Sequence, residues 1–162
     1  MPSIQLQNAD ARITYLGVVY HLGRPGSEID PETLDAHRAS LKPVGQALRA
    51  QIENAVVTID LAPWQVRRLG EALLGTSNEL RQYGLSEGRS MVPGFSDTLE
   101  EFWPEVADDA TVASDLVQHA VMLRRRLDSV IGEAEAEIVA QQAAAKAERE
   151  AQRGSWWQVW KR

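Results

Sequence analysis

Residues 111–139 read TVASDLVQHAVMLRRRLDSVIGEAEAEIV, and this stretch decides how the fold is interpreted. Its apolar residues recur every three or four positions, which is the spacing of one face of an α-helix. The pattern predicts one long C-terminal helix from about residue 111 to residue 153, packed on the rest of the protein over residues 111–139. The recurring apolar set is Val112, Leu116, Ala120, Leu123, Leu127, Val130 or Ile131, Ala134 and Ile138.

The sequence changes character after Val139. From Gln141 to Arg153 it mixes alanine with charged residues and has no large apolar side chain. Such a composition has high helix propensity but offers no apolar face to bury. We therefore expect residues 140–153 to form a polar stem, which is a solvent-exposed continuation of the helix. The heptad pattern is too interrupted to predict a coiled coil.

Three of the five tryptophans lie in the last nine residues, GSWWQVWKR, which we call the tip (residues 154–162). Each Trp ring offers roughly 150–250 Å² for burial, so three of them after a polar stem predict a docking element. The tip is also basic, and cations at the end of a helix interact favourably with its dipole. The predicted partner-binding residues are Trp156, Trp157, Val159, Trp160, Lys161 and Arg162.

The tip has three interpretations. If it is helical, Trp156 and Trp160 share one face, which suits a groove on another protein or on a second copy of this chain. The same face suits peripheral contact with a membrane interface, where Trp is enriched. The tip can also fold back onto its own body and bury its rings there.

Residues 1–110 are predicted to form an α+β body. Strand formers dominate Ile4–Gln7, the run from Arg12 to Leu22, and Ala55–Leu61. Asp30 and Pro31 form a helix-start signal, and an apolar stripe follows to about Glu53, interrupted by Pro43. The order predicts an N-terminal ββαβ layer with packing helices, followed by the long helix and the aromatic tip.

The segment from Pro63 to Tyr83 resembles a helix-turn-helix in spacing, because Gly75 and the capping-box pattern from Thr76 to Glu79 predict a break between two helices. This is the basis of an alternative function, a small DNA-binding regulator. Its candidate DNA-binding residues are Arg67, Arg68, Asn78, Arg81 and Gln82. The surrounding body is acidic, opposite to the usual footprint of a nucleic-acid-binding protein, so nucleic acid is not the expected partner.

The net charge of −6 is unevenly distributed. No Lys or Arg lies between Arg89 and Arg124, a region with seven acidic residues, whereas the tip is basic. This asymmetry favours head-to-tail association or an acidic partner for the tip. The run from Arg124 to Arg126 is expected to form an internal electrostatic clamp with the acidic segment that precedes it.

Catalytic motifs are not evident in the sequence. There is no cysteine, no phosphate-binding glycine loop and no nucleophile elbow, and His21, His37 and His119 are each isolated. We therefore expect no catalytic residue, metal, cofactor or small-molecule substrate. The N-terminus lacks the pattern of a signal peptide, which predicts a cytoplasmic protein. The expected function is non-enzymatic: an adaptor, structural or assembly protein that docks through the tip onto another protein or its own oligomer.

Overall fold

The computed structural model describes residues 3–24, 31–85 and 88–159, with side chains as far as Glu150. The described chain is mostly helical and contains a small two-stranded antiparallel sheet, which confirms an α+β class at that level. The elements in chain order are β1 Ser3–Gln7, α1 Asn8–Gly23, α2 Pro31–Gln51, β2 Val56–Asp60, α3 Pro63–Leu85, α4 Phe95–Phe102, a 3-10 turn at Pro104–Ala107, and α5 Ala110–Val159.

The second strand of the predicted ββαβ layer does not form, because the run from Arg12 to Leu22 belongs to helix α1. This helix lies at the centre of the body and is buried on several sides, with Ile13, Leu16 and Val18 fully inaccessible to solvent. A helix buried all round loses the polar positions that reveal its period, so a short apolar run cannot be distinguished from a strand by periodicity. Burial outweighs the strand preference of its β-branched residues.

The sheet consists of β1 and β2 alone, in the part of the chain that the structure describes. The strands pair antiparallel, with Ile4 opposite Ile59 and Leu6 opposite Val57. These four side chains are buried while their neighbours along each strand are exposed, as expected for a sheet with one face on the core. The Asn8 side-chain amide donates to the Ile52 carbonyl at 2.7 Å, which fixes the start of α1 against the end of α2.

Helix α2 runs through Pro43 without ending, so the predicted helix from Pro31 is confirmed as one element. Its buried stripe consists of Leu41, Val44, Leu48 and Ile52. Helix α1 approaches α2 closely at Gly45, where a Cβ atom would lie 2.9 Å from Val18 Cγ1.

The break predicted at Gly75 is wrong, since α3 is continuous from Pro63 to Leu85. Gly75 lies against the ring of Tyr20, and a Cβ atom there would lie 2.1 Å from Tyr20 Cε1. The glycine therefore serves the packing of α1 on α3. The expected cap is also absent, because the Thr76 hydroxyl donates back to the Ala72 carbonyl at 2.8 Å, a bond that is compatible with a helix interior.

Replacing Gly75 with Ala should destabilise the protein by about 1–3 kcal/mol, because the new methyl group overpacks the contact with Tyr20. Gly84→Ala is the matched control in the same helix, with no atom within 4 Å of its Cβ position. There alanine should leave stability unchanged or raise it by about 0.5 kcal/mol. Urea unfolding measures both variants. Stabilisation by Gly75→Ala would contradict the observed approach of Tyr20.

Helix α5 confirms the predicted long C-terminal helix and extends it to Val159. Asp109 begins it, since its Oδ1 accepts a hydrogen bond from the Thr111 backbone N–H at 2.8 Å. The buried stripe ends at Leu127, earlier than the predicted limit at Val139, and Val130 is half-buried. The chain divides into two compact units, Met1–Asp128 and Ser129–Arg162, so the division falls within α5. In the first unit the stripe consists of Ala113, Leu116, Ala120, Leu123 and Leu127.

Candidate interaction surfaces

The tip belongs to helix α5 as far as the structure describes it. Trp156, Trp157 and Val159 lie in the last described turns of α5, while Trp160, Lys161 and Arg162 lie outside the described residues. The backbone of the tip is thus helical from residue 154 to residue 159, and the predicted shared face of Trp156 and Trp160 lies partly outside the described residues. At 3.6 residues per turn, position 156 lies on the same side of the helix as position 138, five turns earlier.

The part of α5 that precedes the tip is exposed. Every described side chain from Glu133 to Glu150 is exposed to solvent. Two of them are large and apolar: Ile138 is 48% exposed and Val139 is 64% exposed. Adjacent exposed aliphatic side chains on a helix are typical of a surface that associates with another molecule.

The first unit contains a buried carboxylate held by two basic side chains. Asp10 lies in the first turn of α1 and is 6% exposed. Its Oδ1 lies 2.7 Å from His119 Nε2, and its Oδ2 accepts a hydrogen bond from Arg126 Nη1 at 2.8 Å. Both partners are on α5, so these bonds hold α5 to the start of α1. We call these three residues the Asp10 cluster.

Two opposing effects act on the pKa of Asp10. Burial favours the neutral acid and raises the pKa, but the hydrogen bonds from His119 and Arg126 and their charges favour the carboxylate. The net result is a pKa below the ordinary value for aspartate. Asp10 therefore carries its negative charge when the protein is folded at neutral pH, and this buried carboxylate pairs with the partly exposed Arg126.

The basic run of α5 does not clamp the acidic segment as predicted. Arg126 binds Asp10, and Arg124 Nε lies 3.9 Å from Asp128, within the same helix. An arginine of α2 contacts the acidic segment instead: Arg49 Nη2 lies 2.7 Å from Glu101 Oε1. The sequence cannot reveal such pairs, since Asp10 and Arg126 are separated by more than one hundred positions.

The remaining histidines lie in a second polar group between α1, α2 and α3. His21 Nε2 lies 2.9 Å from the His37 carbonyl, and His37 Nε2 lies 2.7 Å from Arg68 Nη2. Arg68 also donates to Glu71 at 3.1 Å. Burial lowers the pKa of His21, and the arginines nearby oppose its protonation further. The spacing of these histidines in the sequence did not predict their contacts, because their partners lie on other helices.

The five candidate DNA-binding residues divide into two sets. Arg68 is half-buried and engaged with His37 and Glu71. The others are exposed along the outer side of α3, where Arg81 donates to the Asn78 side chain at 3.1 Å. Because α3 is one helix, the turn on which the DNA-binding alternative depended is missing. The exposed set is Arg67, Asn78, Arg81 and Gln82, beside the exposed apolar side chains of Trp64, Leu74 and Leu85.

A cleft of about 430 Å³ lies beside Tyr83 and Glu100. The Tyr83 hydroxyl donates to Glu100 Oε1 at 3.3 Å. Burial and this nearby carboxylate raise the pKa of Tyr83, so the phenol stays protonated. The pair closes one wall of the cleft and holds α3 beside α4.

No family model, curated protein or solved structure matches this chain at a significant level. In the described residues, no helix is long and apolar enough to cross a membrane. Over the same residues, no three histidine or acidic side chains are grouped so that they could hold a metal ion.

Proposed function

We propose that this chain is a non-enzymatic interaction or assembly protein that docks through its tip onto another protein or onto further copies of itself. One observation carries the proposal: α5 continues to Val159, so the tip ends a helix whose preceding described side chains are exposed. The sequence places the Trp-rich tip at the end of this long helix. The predicted contact residues are Trp156, Trp157, Val159, Trp160, Lys161 and Arg162.

Physical chemistry favours a partner for this segment. Isolated helices in water are only marginally stable, and most helical stability in proteins comes from burying an apolar face. A helix with an exposed polar surface and a Trp-rich end gains that burial when the end enters a groove. Trp and Arg are also the residues that most often dominate binding energy at protein interfaces. The tip contains both types within nine residues.

Deleting residues 155–162 should abolish association while leaving the melting temperature of the first unit nearly unchanged. The reason is that the tip contributes contacts to the partner rather than to the core. Association is measured by light scattering of the purified chain and by pull-down from its native cell extract, and stability by thermal unfolding.

Single substitutions within the tip test which of its residues make the contact. Trp156→Ala and Trp160→Ala should each weaken association by roughly tenfold or more, as expected of interface anchors. Gln158→Ala, in the same turn, is the matched control and should have little effect. A large loss of melting temperature with association intact would show that the tryptophans are core residues, and the proposal would be wrong. Binding of the full chain to anionic vesicles, lost with the tip, would instead assign the tip to a membrane surface.

A further inference from the structure

A groove on the first unit lies between α1 and α2, away from the Asp10 cluster. Its volume is about 490 Å³ and its floor is apolar. The floor is formed by Tyr15, Val19 and Leu22, which are half-buried and follow one another at helical spacing i, i+4 and i+7. Val18 also borders the groove but is itself fully buried. Gly45 lies on the α2 side of the groove, where its lack of a side chain lets α1 approach α2 at Val18.

Two cations flank the groove. Lys42 is exposed and forms no ion pair within the part of the chain that the structure describes. Arg49 is held in place by Glu101 and lies 5.6 Å from the centre of the Tyr15 ring. Since Glu101 balances the charge of Arg49, Lys42 is the cation that this apolar groove offers to a partner, on a chain whose net charge is −6. Its chemistry fits a helix that has aliphatic side chains and a carboxylate on one face.

The chain itself contains such a helix face in its second unit. Positions 131, 135, 138 and 139 lie on one side of α5 at spacing i, i+4, i+7 and i+8. They carry Ile131, Glu135, Ile138 and Val139, of which the last three are exposed. The sequence has no Lys or Arg between Arg126 and Lys146, so the segment is acidic throughout.

We propose that the groove of one copy binds the α5 segment from Ile131 to Val139 of a second copy. Anchor spacing supports this pairing, since residues 15–22 and residues 131–138 each span about 10 Å of helix. Charge supports it too, because Glu135 of the incoming, acidic helix segment would lie opposite Lys42 at the edge of the groove. This contact goes beyond the proposed function of the tip and uses different residues on both sides.

Charge reversal tests the pairing in the full-length chain. Glu135→Lys and Lys42→Glu should each weaken self-association by at least about tenfold, because like charges then face each other. An equimolar mixture of the two variants should recover it, since both contacts between unlike variants again join opposite charges. Glu133→Lys is the matched control: it makes the same charge change on the opposite side of the helix and should have little effect. Sedimentation velocity over a concentration series measures all four samples.

Cross-linking locates the contact directly, because the chain has no native cysteine. A variant with Lys42→Cys and a second with Glu135→Cys, mixed and mildly oxidised, should yield the mixed disulfide-linked dimer in preference to either homodimer. Lys42→Cys mixed with Glu133→Cys provides the control and should cross-link poorly.

The outcomes separate this inference from the role of the tip. Association that is lost with residues 155–162 but insensitive to Glu135→Lys would leave the tip proposal standing and overturn the groove. A wild-type chain that sediments as a monomer at all concentrations would also overturn it. So would a double variant, Lys42→Cys with Glu135→Cys, that cross-links within one chain while the mixed single variants do not.

Discussion

Truncating Leu123 to Ala should lower the free energy of unfolding by about 2–5 kcal/mol. Leu123 is 1% exposed and lies in the buried stripe of α5, so the truncation removes apolar contacts and leaves a cavity. Met122→Ala is the matched control one residue away. Met122 is 56% exposed, and its truncation should change stability by no more than about 0.5 kcal/mol. Chemical unfolding of the two variants measures the difference.

The same helix should behave differently beyond residue 140. Ala144 is exposed, so Ala144→Ser should cost only a few tenths of a kcal/mol through helix propensity. Hydrogen exchange of the dilute chain provides the independent measurement. Amides of residues 116–127 should exchange slowly, and those of residues 141–150 should exchange rapidly. Equal protection in both stretches would mean that the alanine-rich part is packed against another helix, and the polar-stem interpretation would fail.

The sequence was sufficient to predict a helix where only one face of that helix is buried. Helices α2 and α5 alternate apolar and polar residues at helical spacing, and both were predicted as helices. Their details differ from the prediction, since Pro43 does not divide α2 and the buried stripe of α5 ends at Leu127 rather than near Val139. The prediction failed for α1, which is surrounded by other elements and has no consistent polar face. It also failed at Gly75, because local rules assign glycine to a helix end, whereas the contact with Tyr20 comes from a distant helix.

The contacts of the Asp10 cluster could not be predicted from the sequence either, because they also depend on packing between distant helices. Asp10, His119 and Arg126 have ordinary spacing in the sequence and meet only because α5 packs on the start of α1. The groove between α1 and α2 was hidden in the same way, since its floor was assigned to a strand. The sequence did allow for a helical tip, and residues 154–159 are helical in the structure.

Replacing Asp10 with Asn should destabilise the folded protein by about 2–3 kcal/mol at neutral pH. Two charge-assisted hydrogen bonds are weakened at once, and bonds to charged groups contribute roughly 1.5–3 kcal/mol each. The expected loss is smaller than the sum of the two bonds because Arg126 is more than half exposed and water can replace its partner. Asp115→Asn, at an exposed position on α5, is the control and should change stability by no more than about 0.5 kcal/mol.

The destabilisation caused by Asp10→Asn should become smaller as the pH falls. The pKa of Asp10 is lower in the folded chain than in the unfolded chain, so the unfolded chain binds more protons at acidic pH. The stabilisation from the carboxylate is therefore complete above about pH 5 and declines as the pH falls below about 4, through the unfolded and then the folded pKa. Unfolding curves from pH 7 to pH 3 should show a constant advantage of the wild-type protein over Asp10→Asn down to about pH 5 and a shrinking advantage below about pH 4. A difference that stays constant down to pH 3 would show that Asp10 contributes through shape and packing, and that its ion pairs with α5 do not stabilise the fold.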